Sequence, residues 1–395
     1  MVQALPLHGI RVVEVSSTVA GAYAGRLLEA MGAEVILIEP PTGSPLRTVP
    51  PIIGDSAVGA LFASLSVGKR SVVLDLSDTQ DQMDFDALVA SASILIDDTP
   101  LDRRQQWELD QGSIAVRHPH LVHLSVLPFG AAGPKSGWKG EEVNLFHAGG
   151  EGYLMPNGLS TNMFPDRAPI KVHGYFAERQ GGVAGALAAL SALWSGQGQF
   201  VDVAVQDANI AVGAFAIQRY GDGSLEHRST RSFRYGGVIE CADGYVELLT
   251  LEERQWEGLV ELMGRPEWAL NPTLSDSVAR SVHGPEINGH IRQWAKEQFV
   301  EELVAQAQRL GVPMARYNTP AQVVSGKHEQ ARGIFAGLNV GRLKDLPLQT
   351  APFRFGKDPL PLSGVVPELG ADQILAEPDQ FSSDKRASPG RRASV

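Results

Sequence analysis

Residues 11–15, RVVEV, gather β-branched side chains in a short run and read as a strand. Ala20, Tyr23, Ala24, Leu27, Leu28 and Met31 then recur at intervals of one, three and four, the spacing that lines one face of a helix. Gly32 stands where such a helix stops. Residues 35–39, VILIE, read as a second strand. Strand, helix and strand on short links predict a right-handed parallel unit. The link SSTVAGAYAG lacks the GxGxxG spacing of a dinucleotide fingerprint. Its small residues still let a ligand approach the backbone at a helix N-terminus.

Further strands are predicted at 71–76, 93–97 and 121–126, with a helix over 81–90. Residues 181–194, GGVAGALAALSALW, predict a helix whose small side chains allow close packing. SGQGQ turns the chain into a strand at 200–205, and Asp207 is placed to cap a helix over 208–220. After Asp222 the texture changes. Residues 228–235 are polar and basic, and GGVIECADGYVELL reads as a hairpin around Asp243-Gly244. Helices follow over 253–263, 286–296 and 299–310, as in a smaller second domain. From Tyr317 the chain is loop-rich with short strands, and 382–395 reads as a disordered polar, basic tail.

Composition narrows the function classes. With 43% hydrophobic and 20% charged residues over 395 positions, the chain can bury a large core. A formal net charge of −11 argues against a nucleic-acid partner, although a local basic pocket for a nucleotide-like ligand stays open. The single cysteine, Cys241, excludes an intrachain disulfide and a CxxC metal site, and reads as a small buried residue. The histidines have no HxxxH or HExxH spacing, so no metal is expected. No secretory signal is recognised and no apolar run reaches the roughly 18 residues of a membrane span, so a soluble cytoplasmic enzyme is expected.

Several segments, taken in order, resemble the family III CoA-transferases, the family of formyl-CoA transferase, to which the α-methylacyl-CoA racemases are related. They are LHGIRVVEVSSTVAGAYAGRLLEAMGAEVILIEPPTGSPLR, VGKRSVVLDL, FGAAGP, GQGQFVDVAVQDA, GRPEWALNPTL and LGVPMARYNTPAQV. The similarity runs over about residues 5–375. It implies an α/β fold with a Rossmann-like large domain over 1–224 and a smaller α+β domain over 225–325. A segment over 326–380 would return to the large domain, leaving a tail at 381–395. It also implies an interlocked dimer and coenzyme A thioester as substrate, with no permanently bound cofactor.

In that family the nucleophile is an aspartate just before the glycine that opens the small-residue helix. Aligning PIKVHGYFA places Glu178 at that position and Gly182 at the glycine, so this chain carries Glu for Asp. A carboxylate that attacks an acyl-CoA expels CoA thiolate and becomes a mixed anhydride. The thiolate then forms an enzyme–CoA thioester, and an acceptor acid reverses the steps. Glutamate can do the same chemistry, but its extra methylene moves the carboxyl, and about 1 Å of misplacement can cost ~10²-fold. Backbone N–H groups at the helix start are expected to keep Glu178 ionised, and Gly181 and Gly182 to offer oxyanion donors.

Glu141 stands where the racemases carry a histidine, which leaves a Glu141–Glu178 proton-transfer pair open as an alternative. By the resemblance, Lys139 and the Val19-Ala20 pair match positions that contact CoA in formyl-CoA transferase, Asp98 and Thr99 stand where the relatives carry an Asn-aromatic pair, and Leu74 is a further candidate CoA contact. Pro40 replaces an arginine, so Arg47, Lys69, Arg70, Arg103 and Arg104 are the cations to examine for the phosphates. His147 and His173 are expected to be structural. Tyr153, Phe164, Tyr175, Phe176 and Trp138 predict an apolar acyl pocket larger than formate or oxalate needs. A further alternative is a non-catalytic subunit paired in a heterodimer with a related chain. Acyl-CoA and a carboxylic acid are the expected partners, with no nucleic acid and no membrane.

Overall fold

β-Branched runs separated by helices build one sheet. The computed structural model describes residues 5–56, 58–150, 152, 172–213, 235–340, 343–360, 362 and 364–376. The chain divides into two units, the first of residues 1–151, 171–214 and 328–395, the second of 152–170 and 215–327.

In the first unit the elements run β1 (Arg11–Val15), α1 (Val19–Ala30), β2 (Glu34–Glu39), α2 (Ala60–Ser66), β3 (Arg70–Val73) and α3 (Thr79–Ser91). They continue as β4 (Ile94–Asp97), α4 (Leu101–Gln106), α5 (Gln111–Arg117), β5 (Val122–Leu127) and α6 (Glu142–Ala148). Next come α7 (Phe176–Ser195), β6 (Gln199–Ala204) and α8 (Val205–Val212). The six strands pair in parallel in the order β3-β2-β1-β4-β5-β6. β4 and β5 are buried along their whole length, as in a parallel sheet covered on both faces. The order reverses between β1 and β4, and ligands of such sheets sit beyond the carboxyl ends of the strands at that switch.

The mixed α/β architecture with a parallel sheet is the one predicted. The details differ in three places. β3 ends at Val73 instead of 76: Leu74 still donates to Glu39 O, then Asp75 and Asp78 turn the chain into α3. α7 begins five residues before Gly181, because its polar start, FAERQ, hides the helix from the small-residue pattern. α8 follows β6 with no loop, so Asp207 lies inside its first turn and Ala204 takes the cap position. The rest of the helix predicted to 220, and residues 228–234, lie outside the described residues.

α7 lies close against α1 through Gly182. A Cβ there would stand 2.7 Å from Ala20 O and 3.0 Å from Tyr23 Cβ. Near the C-terminus, Ser71 N donates to Asp372 and Asp372 N to Ser71 O, fastening 364–376 to the edge at β3. β10 (Phe335–Val340) and β11 (Leu343–Gln349), numbered after the strands of the second unit, form an antiparallel pair.

The second unit holds β7 (Gly237–Cys241), β8 (Gly244–Leu248) and β9 (Met314–Arg316) as an antiparallel sheet. The β7–β8 hairpin turns at Asp243-Gly244, as read from the sequence. It also holds the helices α9 (Glu253–Leu262), α10 (Ser277–Val282), α11 (Gly284–Ala295) and α12 (Val300–Arg309). Its core gathers Trp256, Leu259, Ile287, Ile291, Leu303 and the buried Cys241. No described helix is long and apolar enough to cross a membrane.

Candidate active site

The N-terminus of α1 stands at the switch between β1 and β4. Asp98, one residue past β4, is buried and takes the loop before α1 onto its carboxylate. It accepts from Ser17 N at 2.9 Å, Thr18 N at 2.7 Å and Thr18 Oγ1 at 2.7 Å. Burial pushes Asp98 up to about 6, against the pull of these hydrogen bonds, with Asp97 adding to the rise. The loop is thereby fixed and the next two N–H groups, of Val19 and Ala20, are left for another acceptor.

That acceptor is Glu178. Its Oε2 accepts from Val19 N at 2.8 Å, and the neighbouring Ala20 N–H also favours its charged form. The residue is buried in the first turn of α7 and lines a cavity of about 340 Å³. Burial pushes its carboxyl up to about 7; Glu142 and Asp98 add to the rise, and the Val19 and Ala20 N–H groups oppose it. The expectation that backbone donors would hold Glu178 firmly ionised is therefore corrected: burial outweighs them.

The first turn of α7 has its own anchor, which the sequence reading missed. Glu142, buried at the start of α6, accepts from Ala177 N at 3.1 Å with one oxygen and from Glu178 N at 3.0 Å with the other. Tyr175 holds the cap position without a side-chain cap bond, so a carboxylate from another helix supplies it. That unfilled cap was the one sequence signal available. Asn209 of α8 binds Ala177 O at 3.0 Å and ties the turn from behind.

Gly181 and Gly182 do not supply oxyanion donors. They sit in the second turn of α7, where N–H groups are spent on the helical ladder. Their lack of a side chain serves packing, against Val205 for Gly181 and against α1 for Gly182.

Glu141 lines the same cavity as Glu178. It is exposed, and its N–H donates to Asn144 Oδ1 at 3.0 Å, opening α6. Val19 and Ala20 line the cavity too, as does Tyr175. Lys139 is exposed just before Gly140, a cavity residue.

Most of the other residues expected to touch CoA are committed elsewhere, while Arg70 and Arg103 stay exposed. Lys69 is fully buried, bonded to both Glu14 oxygens and Ala22 O, which uses its three donors inside the core. Arg104 is buried against Asp97, Thr99 O and Ser125, and Thr99 is buried with its N–H on Asp97. Leu74 packs in the core with Phe85 and Leu88. The Asp98 carboxylate is occupied by the loop. Arg47 is bonded to Glu39 and Pro367 O and lies over the Phe62 ring. Arg70 is half exposed and 3.3 Å from Glu34. Arg103 lies on α4 with Nη1 at 3.4 Å from Gln106.

His147 and His173 are exposed and do not line the cavity. Of the described aromatics in this set, Tyr175 alone lines it; Phe176 and Trp138 are exposed, and Tyr153 and Phe164 lie outside the described residues. Among the described residues no cluster of His, Cys, Asp or Glu is arranged to hold a metal.

The sequence model of CoA-transferase family III matches residues 7–373. A probable CoA-transferase of Mycobacterium tuberculosis is 32% identical over 78% of this chain, which spans only 39% of that protein's length. Succinate–glutarate CoA-transferase of Agrobacterium fabrum is 26% identical over 97% of this chain and 98% of its own. Among solved structures, a CaiB/BaiF family protein from Brucella suis superimposes with a TM-score of 0.82 at 27% identity, covering 94% of this chain and 98% of that one. With the fold and the match over nearly the whole length in agreement, the chain belongs to CoA-transferase family III.

Proposed function

We propose that the protein moves CoA from an acyl-CoA to a carboxylic acid, with Glu178 as the covalent carboxylate. One observation carries this reading: Glu178 is a buried carboxyl on a cavity wall, aimed by the Val19 N–H at the start of α1. In the first step a Glu178 oxygen attacks the thioester carbon, and the C–S bond breaks to release CoA thiolate. The thiolate attacks the Glu178 carbonyl of the anhydride, giving an enzyme thioester and the free donor acid. The acceptor carboxylate attacks that thioester and expels CoA thiolate again. The thiolate finally attacks the acceptor carbonyl, releasing the new acyl-CoA and restoring Glu178.

The α1 N-terminus contributes partial positive charge beside the reacting oxygen. Its Val19 N–H binds Glu178 in the resting protein and is a donor poised for charge that develops on the anhydride oxygens. Fixing the carboxyl between two anchored helix starts limits the misplacement that its extra methylene would otherwise cause.

Borohydride added with an acyl-CoA tests the reading. The enzyme thioester is reduced, leaving a primary alcohol on residue 178 in the peptide mass spectrum. A label on another residue, or none under conditions of turnover, rejects Glu178 as the nucleophile.

A second reading has its own support, because Glu141 and Glu178 line one cavity. Two carboxyls there suit proton exchange at the α-carbon of a thioester. Solvent deuterium entering that carbon without CoA exchange would favour it.

The acids named for relatives differ: glutarate for one, D-citramalate for another and mesaconate for a third. The exchange is thus better supported than any particular acid. Two related chains are named alpha and beta subunits of succinyl-CoA–L-malate CoA-transferase, which keeps a heteromer beside the homodimer reading. α7 supports assembly of either kind, since Val183, Leu187 and Trp194 are exposed at helical spacing along it.

A further inference from the structure

The wall of the Glu178 cavity has an uneven chemistry. Pro45, Leu46, Val49, Val126, Leu145 and Val205 supply apolar surface. The polar side chains are the hydroxyls of Ser17, Thr18 and Tyr175 and the carboxyls of Glu141 and Glu178. No Lys, Arg or His is among the described residues that line it.

Among the described residues, the nearby cations do not correct this. Arg47 adjoins Leu46 in the chain, but its guanidinium is held by Glu39 and Pro367 O. Lys69 is sealed in the core on Glu14, and Arg104 on Asp97. Arg179, next to Glu178, lies over the Tyr23 ring, 4.7 Å from its centroid. Lys139 is exposed and does not line the cavity.

We infer that this cavity takes an acyl group with an uncharged tail, so that the protein handles monocarboxylic acids in preference to dicarboxylic ones. This rests on the CoA-transfer reading and narrows it to a substrate class. A second carboxylate carried into the cavity would lose water, meet no cation and face Glu141 and Glu178. An alkyl tail of the same length meets Leu46, Val49 and Val205 instead, and gains from leaving water.

Butyryl-CoA and succinyl-CoA make the direct test, since each carries four acyl carbons and they differ in a terminal methyl against a terminal carboxylate. Their dissociation constants are measured by calorimetry on Glu178→Gln, so that no turnover disturbs the equilibrium. Butyryl-CoA should bind about tenfold tighter or more. Val49→Arg, placed in the Glu178→Gln background, supplies the missing cation and should move the ratio toward succinyl-CoA by a similar factor. Equal binding, tighter binding of succinyl-CoA, or no binding of either thioester overturns the inference; if Val49→Arg does not fold, the first comparison still decides. Turnover of the wild-type protein with the same donors judges CoA transfer separately. A protein that prefers butyryl-CoA but transfers nothing would keep the inferred tail and lose the transfer reading.

Discussion

Two helix N-termini meet at the cavity, and each is held by carboxylates from elsewhere in the fold. At α7, Glu142 spends one oxygen on Ala177 N and the other on Glu178 N, which makes it a lock. At α1 the donors are divided. Asp98 takes Ser17 and Thr18, while Glu178 takes Val19. The same backbone device thus serves structure at one helix and holds a reactive group at the other. What separates the two uses is access, since Glu178 reaches the cavity wall and Glu142 does not line it.

The largest break in this comparison is Glu178→Gln. It keeps one oxygen to accept Val19 N–H but removes the nucleophile, so CoA exchange should fall on the order of 10³-fold or more. An assay that follows labelled CoA between two acids reads it, and activity within tenfold of wild type would end the covalent role.

The same substitution should act in the opposite sense on stability. The folded carboxyl titrates at about 7, above its ordinary 4.5, so the folded state holds its proton more tightly than the unfolded state. Wild-type stability therefore loses a contribution as pH rises from about 4.5 to 7, amounting to about 3 kcal/mol at pH 8. Gln carries no such penalty. Urea unfolding should find Glu178→Gln more stable than wild type at pH 8, with the gap closing toward pH 4.5. A gap of the reverse sign would mean that the α1 N–H groups outweigh burial.

Glu142→Ala tests the lock. It leaves two buried N–H groups without their acceptor, at a cost of about 1–3 kcal/mol each. It also frees the first turn of α7, and a shift of about 1 Å there is expected to lower exchange by ~10²-fold. Glu142→Gln keeps an acceptor for one N–H and should recover much of the stability. If both variants matched wild type in kcat and unfolding midpoint, Glu142 would be no anchor.

The sheet was readable because its strands are runs such as RVVEV and VILIE, whose chemistry is local. Glu178 was readable through resemblance, but its raised pKa was not, because burial and the Glu142 charge arise only on folding. Glu142 itself was missed because its partners lie 35 and 36 residues away. Lys69 and Arg104 misled for a related reason. A basic residue in a sequence reads as an open cation, and only the fold reveals that Glu14, 55 residues from Lys69, has sealed it inside.

The smallest expected effects concern pH. Attack needs ionised Glu178, so kcat/KM should rise about tenfold per pH unit below about 7 and level off above it. Asp98→Asn removes a charge that helps raise Glu178, but the weakest of the five influences on it. The midpoint should then move down by less than about one unit, while Glu142→Gln, which removes a stronger neighbouring charge, should move it further. A profile whose midpoint ignored both substitutions would assign the ionisation to some other group, and the division of labour between the two helix starts would no longer account for the rate.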